Sequence, residues 1–116
     1  MNQLEKAKKI VECLNNKKGH DITILHIGPV TTLADYFVIA TGSSGPQIKS
    51  LADEVIKKMS EEKLSPRHIE GYNSAAWVLI DYADVVVHIF SPEMREFYGI
   101  ERLWTDAEAV DGSLAE

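Results

Sequence analysis

A single cysteine, Cys13, stands in the 116 residues of the chain. A disulfide within the chain is therefore impossible, and a cysteine cage for zinc is excluded with it. The fold must rest on its own core, and a domain of this length buries roughly two thirds of the surface its unfolded chain exposes. No apolar run approaches the ~20 residues of a membrane-spanning helix. Lys6, Lys8 and Lys9 alternate with Glu5 and Glu12 near the start, without the apolar segment of an export signal, so a reducing, cytoplasmic setting is expected. Basic excess is also missing, with 12 Lys and Arg against 18 Asp and Glu and a net charge of −6. After Trp104 there is no basic residue, whereas Asp106, Glu108, Asp111 and Glu116 are all acidic. This balance excludes the broad cationic surface of phosphate-driven nucleic-acid binding, and it favours a protein partner rich in lysine and arginine. Residues 105–116 are expected to form an acidic, disordered tail, and residues 1–104 the single domain.

Leu4, Ala7, Ile10, Val11 and Leu14 share one helical stripe, and Gly19 is placed to end that helix through a left-handed cap. Cys13 falls within this pattern as a half-buried, unreactive thiol. Asp21 to Ile27 reads as a strand stopped by Gly28-Pro29, and Tyr36 to Thr41 as a central strand. Ser43 or Ser44 caps a second amphipathic helix with Pro46 in its first turn, running to about Leu64. Arg67 to Gly71, Ala75 to Tyr82 and Val85 to Phe90 read as three more strands, and Ser91-Pro92 opens a short helix from Glu93 to Tyr98 before Leu103-Trp104. The order αββαβββα describes an α/β (α+β) domain with a mixed five-stranded sheet, two main helices and a short third. No internal repeat or linker divides it.

The last two long strands carry large apolar residues at both odd and even positions, whereas a strand with one wet face alternates. Two full helices cover one face of five strands and hardly both. Val78, Ile80, Val85, Val87 and Ile89 fit the covered face, which leaves Trp77, Leu79, His88 and Phe90 on a face expected to stay bare until a partner arrives. Trp77 reads as the interface anchor rather than a core residue, because the opposite set already fills the core. Glu70, Asp81, Glu93 and Glu96 are placed as an acidic rim around it. Arg95 and Tyr98, on the short helix, belong either to that rim or to the packing of Trp104. His88 has two readings, a donor to the partner or a histidine satisfied at the sheet edge.

The blocks Asp35 to Ser44, Glu70-Gly71, Trp77 to Tyr82, Asp84 to Phe90, Arg95 to Tyr98 and Glu101 to Trp104, in this order, closely resemble the ribosomal silencing factor family, also called the Iojap family. The resemblance covers nearly the whole chain. It implies a protein that binds the large ribosomal subunit through its protein number fourteen and blocks joining of the small subunit when nutrients are scarce. It also implies a nucleotidyltransferase-like topology without the enzyme's activity, and a homodimer in several members. Where the family has Asp-Tyr-Gly-Asp, this chain has Asp81-Tyr82-Ala83-Asp84, so a positive φ at this turn would cost about 1 kcal/mol relative to glycine.

Chemistry in the chain is weaker than this resemblance. Thr41-Gly42-Ser43-Ser44 at a strand-to-helix junction could cradle a phosphate, but no Walker lysine follows, and Asp81 and Asp84 flank a turn instead of meeting on one strand face. A nucleotidyltransferase using Gly42, Ser43, Asp81 and Asp84 is the rival from another class, and a large-subunit assembly factor is the second. His20, His26, His68 and His88 lack metal-ligand spacing, and nothing activates Ser43 in a set with His88 and Asp84. No cofactor or metal is expected, nor a membrane or sequence-specific nucleic-acid partner.

Overall fold

The computed structural model describes residues 1–104 and 108–110. Helix α1 spans Gln3–Asn16 and begins in a reciprocal capping box, Glu5 N–H donating to Asn2 Oδ1 at 2.8 Å and Asn2 N–H to Glu5 Oε1 at 2.9 Å. At its other end the left-handed residue is Lys18, at φ +63°, and not Gly19. The Gly19 N–H closes the turn by donating to Leu14 O at 2.9 Å. Strands β1 (His20–His26) and β2 (Tyr36–Thr41) follow, then α2 (Gly45–Glu61), capped by Ser44 with proline in its first turn. Strands β3 (His68–Glu70), β4 (Trp77–Asp81) and β5 (Val85–Phe90) precede two short helices, α3 (Pro92–Tyr98) and α4 (Ile100–Leu103). A three-residue strand, β6 (Glu108–Val110), ends the described chain.

The strands form one mixed sheet in the order β3-β4-β5-β2-β1-β6, with β2 and β5 parallel and the other pairs antiparallel. The expected five strands, three helices and their order are all present. To these the structure adds α4 and β6, the latter pairing Ile24 with Val110 and His26 with Glu108. Those three residues fall within the segment expected to be a disordered tail; the rest of that expectation, residues 105–107 and 111–116, lies outside the described residues.

Helices α1 and α2 cover one sheet face. Ile10, Leu14, Ile48, Leu51, Val55 and Met59 pack there against Ile24, Val38, Val78, Ile80, Val87 and Ile89. Cys13 is fully buried in this layer, more deeply than its helical pattern implied, and burial pushes its thiol up to about 11. An inert thiol follows.

The other face is not bare, which corrects the expectation from helix supply. Gly99, at φ +52°, stops α3 with its N–H on Arg95 O and turns the chain straight into α4. That reversal drops Ile100 into a second core with Leu25, Ile27, Ala34, Phe37, Ile39, Val86 and Phe90, while Met94 and Trp104 pack at its margin. A single helix could not have done this, because Met94 and Ile100 would then lie along one short rod instead of on two sides of a bend.

The β4–β5 hairpin closes at Ala83. Asp84 N–H donates to Tyr82 O at 3.0 Å, Tyr82 N–H to Val85 O at 2.9 Å, and Ala83 N–H to Asp81 Oδ1 at 2.7 Å. Ala83 sits at φ +74°, the strained side of a γ-turn for any residue with a Cβ. Replacing Ala83 with glycine is expected to raise unfolding stability by about 1 kcal/mol. A urea midpoint unchanged or lower than that of the parent would show that the turn carries no such strain.

Candidate functional site: the face under the C-terminal helices

Register sets which side chains of β4 and β5 share the second face. Trp77 pairs with Phe90, Leu79 with His88 and Asp81 with Val86, so six alternating residues of two strands point the same way. The start of β4 is held by Gly71, at φ +79°, whose backbone lies so near the Trp77 carbonyl that an added Cβ would sit 2.0 Å from its oxygen. Any other residue there would push β4 out of place.

An aromatic row crosses this face. The Trp77 indole stacks on Phe90 at 4.9 Å between centroids and meets the Tyr98 ring at 4.6 Å. Phe37 sets its edge against His88 at 4.6 Å and meets Trp104 at 5.8 Å. Trp77 Nε1–H donates to His88 Nδ1 at 3.1 Å. Trp77 and Leu79 are half-buried, whereas Phe90 is 0% exposed and His88 is 5% exposed.

The nine residues expected to meet a partner therefore occupy different depths. Phe90 and His88 are sealed by the chain's own α3 and α4, so as they stand they support the surface and do not form it. His88 is neither at a sheet edge nor turned outward, because β5 is an interior strand and the imidazole is spent on Trp77. Arg95 is likewise internal. Its guanidinium holds Glu101 at 2.9 Å, the Asp21 carbonyl at 2.7 Å and Thr41 Oγ1 at 2.8 Å, clamping α3 and α4 to the ends of β1 and β2. That pairing holds the Glu101 carboxyl below its usual range. Asp81 is partly tied up by Arg67 at 3.0 Å, and Glu70 lies beside His68 at 3.0 Å. Glu93 and Tyr98 are exposed.

Two exposed apolar residues lie outside the sequence expectation. Phe97 is 76% exposed and meets the Tyr98 ring, itself 45% exposed and in contact with Trp77, and Leu103 on α4 is 73% exposed. The missed signal was in α3 itself, whose Phe97-Tyr98 pair is more apolar than a seven-residue cover can bury on one side.

The arrangement offers little chemistry. Asp84 is bound by Lys6 at 2.6 Å and Asp81 by Arg67 and the Ala83 N–H, so neither carboxylate stands ready for a divalent ion. Ser43 Oγ and N–H both donate to Gln47 Oε1, at 2.8 and 2.6 Å, and Ser44 Oγ caps the Gln47 N–H. A phosphate would have to displace that helix start. Among the described residues no group of three His, Cys, Asp or Glu side chains could hold a metal, and no helix is long and apolar enough to cross a membrane.

A profile of the family described as ribosomal silencing factor during starvation (RsfS) matches residues 1–116. The chain belongs to this family. It is 36% identical to ribosomal silencing factor RsfS of Bacillus subtilis over 111 residues, 96% of this chain and 94% of that protein. A mouse (Mus musculus) protein named mitochondrial assembly of ribosomal large subunit protein 1 is 30% identical over 110 residues, 92% of this chain and 48% of that protein. A crystal structure of a Chromobacterium violaceum protein superposes with a TM-score of 0.89 at 40% identity, covering 90% of this chain and 88% of that one. The Iojap resemblance is thus established, a chloroplast Iojap protein of Arabidopsis thaliana being among the relatives. The RsfS family is one of silencing factors and not of enzymes.

Burial lowers the His88 imidazole from its usual value to about 4. Between pH 6.5 and 4 the unfolded chain takes up this proton and the folded chain does not, so stability falls as pH falls through that window. From pH 7 to pH 5 His88 alone is expected to withdraw about 2 kcal/mol. Urea unfolding of the parent and of His88→Leu at both pH values checks this, and equal losses in the two proteins would clear His88 of the effect.

Proposed function

We propose that this chain represses translation by binding the large ribosomal subunit through its protein number fourteen and sterically preventing the small subunit from joining, in particular under nutrient limitation. Family membership supports a silencing role, and the name of the mouse relative points to the large subunit. The observation that carries the reading is the exposed apolar outside of the thin cover: Phe97 in contact with Tyr98, Tyr98 in contact with half-buried Trp77, and Leu103 exposed on α4. Exposed apolar side chains of this kind mark protein-binding surfaces, and aromatic ones dominate their energetics. Glu70, Glu93 and Glu96 are exposed around it, a rim suited to a basic ribosomal protein.

In this reading Phe97, Tyr98, Leu103, Trp77 and Leu79 make the contact, Glu70, Asp81 and Glu93 steer it, and Phe90, His88 and Arg95 hold the surface in shape. Blocking an interface needs affinity and no chemistry, which agrees with the occupied carboxylates and hydroxyls of the Asp81–Asp84 turn and the Gly42-Ser43 loop. The same surface can be hidden in a free homodimer, since a patch that binds a partner also serves a second copy. A cytoplasmic location and a topology akin to nucleotidyltransferases belong to the same proposal.

The mouse relative's name favours one second reading, an assembly factor of the large subunit. Sedimentation with purified mature subunits separates the two: silencing predicts that added protein lowers the joined fraction, and an unaltered profile with no protein on the large subunit would refute it. Phe97→Ala is expected to weaken large-subunit binding by about 1–2 kcal/mol and leave the unfolding midpoint where it was, because the ring is largely in water. Undiminished binding of that variant would move the docking surface away from α3.

A further inference from the structure

Strand β5 consists of valine, isoleucine and phenylalanine except at one position. His88 lies between Leu79 on β4 and Ile39 on β2 in the register, against the edge of Phe37, and 5% exposed. Its Nδ1 accepts the Trp77 indole proton, so Nε2 carries the imidazole proton, and that buried N–H finds no acceptor among the described residues. A buried donor left unpaired destabilises the fold, and its presence calls for a reason. A leucine would fill a similar space with no such cost. What the histidine supplies, and an aliphatic side chain would not, is one acceptor at the indole nitrogen of Trp77.

Resting on the docking reading above, we propose that His88 is the positioning residue of the docking surface, fixing the Trp77 indole in one orientation for the partner. Phe90 supports the ring, Tyr98 lies across it, and the hydrogen bond to His88 settles which way the indole points. A ring held in advance loses less freedom when a partner arrives. The inward N–H has a second consequence. Trp77 keeps no donor for the partner, so the element that meets it is apolar, or the aliphatic stem of a lysine or arginine, and not a hydrogen-bond acceptor.

The test uses the full chain, with the Trp77 indole resonance identified against Trp104 by nitrogen-15 NMR, and affinity for purified large ribosomal subunits. His88→Leu is expected to fold with an unfolding midpoint no lower than the parent's. Its Trp77 indole N–H should lose exchange protection, and its dissociation constant should rise about tenfold. His88→Asn, whose Oδ1 takes the place of Nδ1, should return affinity to within about threefold of the parent. In a Trp77→Phe background His88→Leu should have no further effect, because the indole N–H is already gone. Parent-like affinity of His88→Leu, with the parent binding well, would overturn the positioning role alone. Failure of the parent to bind large subunits would overturn the docking reading and this inference with it. Should His88→Leu fail to fold, Trp77→Phe breaks the same bond from the other side and is expected to weaken binding similarly; undiminished affinity there would overturn the proposal.

Discussion

Every residue of β5 from Val85 to Phe90 is buried, and the rest of the structure answers to that constraint. A strand with large apolar side chains on both faces needs cover on both. Helices α1 and α2, thirty-one residues between them, meet one face and form the main core. The other must be closed by the chain beyond β5, two short helices and a tryptophan. They suffice because Gly99 turns the chain between them and because Arg95 of α3 holds Glu101 of α4 and three groups of the sheet, the Asp21 carbonyl, Thr41 and Thr23.

A thin cover has an outer side as well as an inner one. Met94, Ile100 and Trp104 turn toward the second core, and Phe97, Tyr98 and Leu103 are left facing water. The same shortage of chain that makes the cover small makes its exterior adhesive, since a helix of seven residues cannot bury its aromatic residues on a single side. Polar groups elsewhere are matched within the molecule: Asp84 with Lys6, Asp81 with Arg67, Ser43 with Gln47. A surface built in this way can bind, and binding asks no chemistry of these groups. That agrees with a family of silencing factors.

Much of this was legible in the amino-acid sequence. The apolar stripes of α1 and α2 follow the helical period, the serine and proline at the start of α2 mark its cap, and β1, β2 and β5 are short branched runs between turn residues, so these elements appear where local signals place them. The alternation of Trp77 and Leu79 with Val78 and Ile80 divided the two sheet faces correctly. The strands divide as their residues imply, and the difference lies in the cover, which is two short helices and not one. Treating α3 as one short rod left Phe90 and His88 uncovered, whereas the bend at Gly99 covers them. The bend was hard to see because a glycine between two short apolar stretches reads equally as a stop or as a turn.

Local sequence determined which residues form helix and strand and which side chains share a sheet face, because each depends only on neighbours a few positions away. Depth was decided by the tertiary structure alone. Whether Trp77 is wet or dry, whether His88 faces a partner or an indole, and whether Arg95 is a surface cation or an internal clamp all depend on where α3 and α4 come to rest. That resting place arises from contacts between residues as far apart as Asp21 and Arg95, and no period along the chain encodes a distance of that kind.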